Sequence, residues 1–291
     1  MKDYVIFTDS TTDLPASLAD ELCLKVIPLG FSFESENYLN YLDHRQLSIH
    51  KFYERIQNGE KSTTTLINTM SFIENFEPVL KEGKDILYIA FSSELSGTYQ
   101  SSVVAAEELR EKYKDSKIIC VDTKAASMGE GLLVYTAAKK KTEENLSMDE
   151  LNQWILDNRL KMCHWFTVDD LNHLKRGGRV SAVSATVGTV LNIKPILHVD
   201  NEGRLIPDSN VRGRKKSLHA LFDKMESTCI NPEEQTVFIS HANALQDAEY
   251  LANLIKEKLH VKEVILNFIG PVVGSHTGQG AIALFFFGKE R

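Results

Sequence analysis

No stretch of this 291-residue chain approaches the roughly 20 consecutive apolar residues that span a bilayer. The longest late run, residues 281–287, has only the length of a strand. The start, MKDYVIFTDS, lacks the apolar core of a secretory signal, because its run covers Tyr4 to Phe7 and Asp9 ends it. Cysteine is scarce. Cys23, Cys120, Cys163 and Cys229 lie far apart and form no CxxC pair, so they read as buried reduced thiols of a cytoplasmic protein. Positive charge is in deficit. A net charge of −7 disfavours nucleic acid as the main partner, which needs a basic face. The phosphate loops GxxxxGKS, GxxxxGKT and GxGxxG are absent, which argues against nucleotide binding of those kinds. There is no HExxH, and the nine histidines are scattered, so no metal site is expected. No serine sits in GxSxG, which weighs against an α/β-hydrolase.

What is present is an ordinary soluble composition, 43% hydrophobic and 25% charged, enough for a sizeable core. At this length two medium domains are expected. Strands and helices alternate from the start. YVIFT, DILYIAF and KIICVD read as buried strands, with helical spacing over residues 99–113, 128–139 and 148–160. Such alternation predicts a mainly parallel sheet flanked by helices. Asp13 is placed to cap the first helix, with Pro15 in its first turn.

The second half opens at HWFTVDDLNHLKRGGR, where Gly177-Gly178 is a sharp break. Residues 180–191 read as a small-residue helix. KPILHVD and RLIPD read as a hairpin about the turn NEG. Helices follow at 214–226 and 245–259, with strands at TVFISH, KEVILNF and AIALFFFG. GPVVGSHTGQG reads as a long glycine-rich loop. The fold class expected is therefore α/β with two domains. Residues 1–165 form an N-terminal α/β domain and residues 166–291 a C-terminal α+β domain.

Three regions rich in hydroxyls or glycine fall beside strand ends, where open parallel sheets collect ligands. DSTTDLP offers Asp9, Ser10, Thr11 and Thr12, either to a ligand or as turn and cap chemistry. STTTLIN leads into a helix near Met70. SSELSGTYQSS puts Ser96, Gly97 and Thr98 at a helix start, which suits either an anion or a plain serine cap. In GPVVGSHTGQG, His276 stands among four glycines, free to donate to a carboxylate or to serve structure. Hydroxyls with one histidine and no acidic partner suit holding a carboxylate better than breaking a bond. A basic segment, RLIPDSNVRGRKKS, carries Arg204, Arg212 and Arg214. It is either a solvated helix face or a docking patch for an acidic partner or a membrane surface.

In order along nearly the whole chain, DSTTDLP, STTT, SSELSGTYQS, VDTKAASMGEG, LKRGGRVS, KPIL, VRGRKKSL and GPVVGSHTGQGA resemble the DegV family. These are bacterial fatty acid-binding proteins that work with fatty acid kinase. The resemblance implies one long-chain fatty acid enclosed in a tunnel between two domains. It implies that the carboxylate is held at Thr64, Thr65, Ser96 and Gly97, with His276 nearby. It implies no cofactor, and a partner kinase that phosphorylates the carboxylate to an acyl phosphate. Family members often read TTSQPS where this chain has Thr63-Thr64-Thr65-Leu66-Ile67-Asn68, and HTGPG where it has HTGQG. Residues 180–190 are read as part of the tunnel wall or as a tightly packed helix. Arg176 and Arg179 line the pocket mouth or tie the domains together.

Two other classes remain open on the sequence. One is an enzyme with Ser96 or Asp9 as nucleophile. The other is a regulatory protein that binds a partner through Arg212 and Arg214.

Overall fold

The computed structural model describes residues 2–180 and 192–291. The chain opens with β1 (Tyr4–Asp9), a 3-10 turn at Ser10–Thr12 and α1 (Ala16–Glu21). Short strands follow as β2 (Lys25–Ile27), β3 (Gly30–Phe33) and β4 (Glu36–Leu39). Next come α2 (Ile49–Gln57), β5 (Ser62–Thr65), α3 (Thr69–Lys81), β6 (Asp85–Ala90) and α4 (Thr98–Lys112). The first half closes with β7 (Ile118–Asp122), α5 (Met128–Glu143) and α6 (Met148–Asn158). The second half runs through β8 (Met162–Thr167), α7 (Asn172–Arg176), β9 (Ile193–Val199), β10 (Leu205–Arg212) and α8 (Arg214–Thr228). It ends with β11 (Thr236–His241), α9 (Leu245–Leu259), β12 (Glu263–Phe268), α10 (Pro271–Thr277) and β13 (Ile282–Phe287).

Local chemistry explains the main boundaries. Every residue of β6 is buried, which fits an inner strand of a parallel sheet covered on both faces. Ser48 and Asn68 cap α2 and α3 by accepting from backbone N–H groups. Ser147 and Glu150 form a reciprocal capping box at α6.

The expected parallel sheet is there, in the order β2-β1-β6-β7. A small antiparallel sheet, β4-β3-β5, lies beside it and carries the hydroxyl run of β5. The second half builds a six-stranded mixed sheet, β10-β9-β8-β13-β11-β12, in which only β11 and β12 pair in parallel. Residue 165 falls inside β8, a strand of this sheet.

The two halves meet on α5. It is buried over nearly all of its first three turns, Glu130 included, and its charged residues otherwise fall in the last turns. It packs on β8, β11 and β13. Gly129 makes this approach possible, because a Cβ there would sit 2.2 Å from His164 Nε2 and 2.7 Å from Phe285 Cδ1. The largest apolar cluster consequently runs from Tyr4 and Ile6 through Leu132 to Phe238 and Phe285, spanning both halves.

Three expectations are corrected. GPVVGSHTGQG is not a loop throughout, because Pro271–Thr277 is helical. Asp13 does not cap α1. It adopts a left-handed conformation, and Pro15 takes the N-cap position. The strand read at RLIPD continues to Arg212, so the basic segment is a strand followed by a helix rather than one helical face. The small-residue segment at 181–191, read as a helix and a possible cavity wall, lies outside the described residues. Among the described residues no helix is long and apolar enough to cross a membrane, and no cluster of three or more potential metal ligands occurs.

Candidate functional site

A cavity of about 200 Å³ lies between the halves. Its buried walls are mostly apolar, with Ser127, His164 and Thr277 the buried polar residues among the described lining. Phe91 and Leu95 come from the segment after β6, Val272 from α10, and Phe166, Val199 and Phe285 from the second sheet. At its partly exposed end the lining turns polar, with Thr64 and Thr65 of β5, Ser96 and Gly97 at the start of α4, and His276 of α10. Chain segments more than 200 residues apart thus bring all five of these residues to one rim.

The rim is ordered by local hydrogen bonds. Thr64 Oγ1 lies 2.9 Å from His276 Nε2. Ser96 Oγ accepts from Thr98 N–H at 3.2 Å and pairs with Thr98 Oγ1 at 2.8 Å, a turn just before α4, whose N-cap is Gly97. A helix start leaves backbone N–H groups without intrahelical partners and favours negative charge. The His276 ring fits against Gly177, where a Cβ would stand 2.2 Å from Nδ1. Burial, with the nearby Arg179 charge, pushes the His276 pKa down to about 4. The ring is therefore neutral at neutral pH.

Arg179 belongs to this rim as well, a role the sequence left undecided. Its Nε and Nη2 donate to Leu95 O at 3.2 and 3.1 Å, and its Nη1 donates to Gly177 O. It has no carboxylate partner among the described residues. On its outer side lies a polar cleft lined by Lys61, Thr63, His173 and Arg176, which shares Thr64, Arg179 and His276 with the cavity. Arg176 does not line the apolar cavity. Its Nη2 lies 2.9 Å from His173 Nδ1.

The hydroxyls of DSTTDLP do not reach the cavity. Asp9 accepts from Thr11 N–H at 3.0 Å, from Tyr88 O–H at 2.7 Å and from Phe91 N–H at 3.3 Å. Thr8 and Thr11 also meet Glu130 of α5 at 3.2 and 3.0 Å. Burial raises the pKa of Asp9, and it raises Glu130 well above the carboxylate range, with the Asp9 charge adding to the effect. Asp9 is completely enclosed. Among the described residues Ser96 has only Thr98 as a side-chain partner, with no histidine or carboxylate bonded to its hydroxyl.

The basic residues do not form one patch. Arg204 and Arg212 flank β10 at opposite ends, about 26 Å apart at the usual rise per strand residue. Arg204 pairs with Asp200 at 2.8 Å and Arg212 is exposed. Arg214 is held by Asp247 at 2.8 Å and Asp169 at 3.6 Å.

The sequence and fold have close counterparts. The family model described as "Uncharacterised protein, DegV family" matches residues 3–289. A DegV domain-containing protein of Clostridium perfringens is 47% identical over 291 residues, covering 100% of this chain and 99% of its own. A DegV family protein from Thermus thermophilus, described by its fatty acid binding, superposes with a TM-score of 0.88 at 28% identity, covering 99% of this chain and 100% of its own. DegV from Bacillus subtilis, described as a fatty acid binding protein, gives 0.86 at 26% identity with the same coverage.

Proposed function

This chain belongs to the DegV family, and we propose that it is a carrier that binds one long-chain fatty acid and presents its carboxylate to a fatty acid kinase. The observation that carries this reading is an apolar cavity with a partly exposed end rimmed by hydroxyls, a helix start, a neutral histidine and an arginine. Each methylene taken from water contributes roughly 0.8 kcal/mol, so the chain supplies most of the affinity. The carboxylate is costly to bury unpaired, and the rim answers that cost. Thr64 Oγ1 and His276 Nε2 share one hydrogen bond, and the tautomer with its proton on Nε2 leaves the Thr64 hydrogen for the carboxylate. Ser96, Gly97 and Thr65 complete the shell, and Arg179 offsets the charge.

The kinase, with its own ATP, converts the carboxylate to an acyl phosphate. The polar cleft outside Thr64 and His276 gives a phosphoryl group an approach that does not cross the apolar wall. Arg204 and Arg212, both exposed at opposite ends of β10, are the surface arginines assigned to the partner, with Arg214 following Arg212 and set between its two aspartates. Leu66 and Met70, 46% and 62% exposed beside the rim, suit a transient touch on a membrane surface during lipid exchange. The protein itself performs no catalysis and needs no cofactor. Its place is the cytoplasm, in keeping with four unpaired cysteines. We keep the division into two domains and draw its boundary just before β8.

Titration of delipidated protein with fatty acids of graded length tests the reading. Affinity is expected to rise with chain length, and Thr64→Val and Ser96→Ala are each expected to weaken it by about 1–3 kcal/mol. Failure to bind at every length would contradict the carrier, and wild-type affinity in both variants would remove the carboxylate assignment.

A further inference from the structure

Asp13 lies outside the cavity but touches two pieces of chain that build it, and a third, β12, that leads into one of them. Its Oδ1 accepts from Gly270 N–H at 2.9 Å, at the start of α10. Its Oδ2 accepts from the Ser127 hydroxyl at 2.6 Å, and Ser127 lines the cavity wall just before α5. Its backbone oxygen accepts from Asn267 Nδ2 at 2.8 Å, in β12. A second bond reaches the same helix start, from the Tyr53 hydroxyl to Ile269 O at 2.7 Å. The N-terminal end of α10 is therefore fixed by residues of the first half. Its last turn carries His276, six residues and about 9 Å further on.

Asp13 is 3% exposed and left-handed at φ 50°, a conformation aspartate tolerates better than most residues. No cation pairs with it among the described residues. The ionisable groups facing it are Asp9 of β1, Glu130 of α5 and Tyr53 of α2. Burial lifts its carboxyl to about 7. An apolar side chain would fill this space without the desolvation penalty. What the carboxyl adds is two oriented acceptor bonds, one to the head-group helix and one to the cavity wall.

We propose that Asp13 is a positioning residue for the carboxylate site, holding α10 so that His276 stays within reach of Thr64 and tying that clamp to the wall at Ser127. The inference rests on reading Thr64 and His276 as carboxylate ligands. Its test therefore separates head-group recognition from chain burial.

Dissociation constants are measured for one fatty acid and for its methyl ester, which keeps the chain and lacks the charge. The proteins compared are wild type, Asp13→Ala, Asp13→Asn, Tyr53→Phe and Thr64→Val. In Asp13→Ala the acid is expected to lose at least tenfold in affinity while the ester stays within twofold. Asp13→Asn keeps an acceptor for Gly270 N–H and should restore most of the acid affinity. Tyr53→Phe removes only the second bond to the helix start and should show a smaller loss, again confined to the acid. It carries the test if Asp13→Ala does not fold. Equal losses for acid and ester would overturn the proposal, because Asp13 would then support the cavity as a whole. So would unchanged acid binding in folded Asp13→Ala and Tyr53→Phe while Thr64→Val weakens. Unchanged acid binding in Thr64→Val would instead sink the carboxylate reading, and this inference with it.

Discussion

At the scale of single residues, hydrogen counting assigns a proton to Glu130. Thr8 Oγ1 has one hydrogen, and it goes to Ile89 O at 2.9 Å, which can only accept. Its contact with Glu130 Oε1 at 3.2 Å then needs the hydrogen to come from the carboxyl group. Thr11 likewise has one hydrogen to share between Asp9 and Glu130. Glu130 is fully enclosed, and burial with the Asp9 charge raises its pKa well above the usual range. A carboxyl raised in the folded state contributes stability below its unfolded value, near 4, and loses that contribution as pH rises through the folded value. Glu130→Gln, which keeps the donor and cannot ionise, is expected to stay within about 1 kcal/mol of wild type near neutrality and to gain on it as pH rises. Glu130→Ala should cost about 2–4 kcal/mol through a cavity and stranded hydroxyls. Denaturant unfolding at several pH values measures both. A Gln variant as damaged as the Ala variant, with no relative gain at high pH, would show that the proton is not there.

At the scale of elements, the apolar runs of β1, β6 and β7 were legible because their causes are local. Two elements were not. Four glycines in eleven residues read as a breaker, yet Gly274 sits inside α10. The reason is non-local: a Cβ at Gly274 would lie 2.7 Å from the Tyr53 hydroxyl and 2.9 Å from Phe52 Cε1, both in α2. DSTTDLP could be read as a ligand loop, but its hydroxyls have other partners: Ser10 accepts from Leu29 N–H, Thr12 donates to Asp9 O, and Thr11 meets Glu130 of α5. The same logic gives α5 a prediction of unusual sign. Gly→Ala inside a helix normally stabilises by about 1 kcal/mol. At Gly129 the added methyl would strike His164 and Phe285, and overpacking of this kind costs about 1–3 kcal/mol. Thermal unfolding of Gly129→Ala should therefore show a net loss. A gain would mean that α5 does not sit so tightly on the second sheet.

At the scale of the whole molecule, the residues at the rim were legible as a set only through the ordered resemblance, since each hydroxyl or histidine also had a structural use. Arg179 stayed undecided because its position depends on how α7 packs against the segment before α4, which no local spacing reveals. The apolar wall was invisible for the same reason. It is assembled from both halves, and no single segment encodes it. A wall of that kind should come out of the cell filled, and the most direct measurement is mass spectrometry on an organic-solvent extract of the denatured, purified protein. The account predicts one fatty acid per chain, which would also identify the lipid. An empty extract, from protein that then fails to take up added fatty acid, would contradict it.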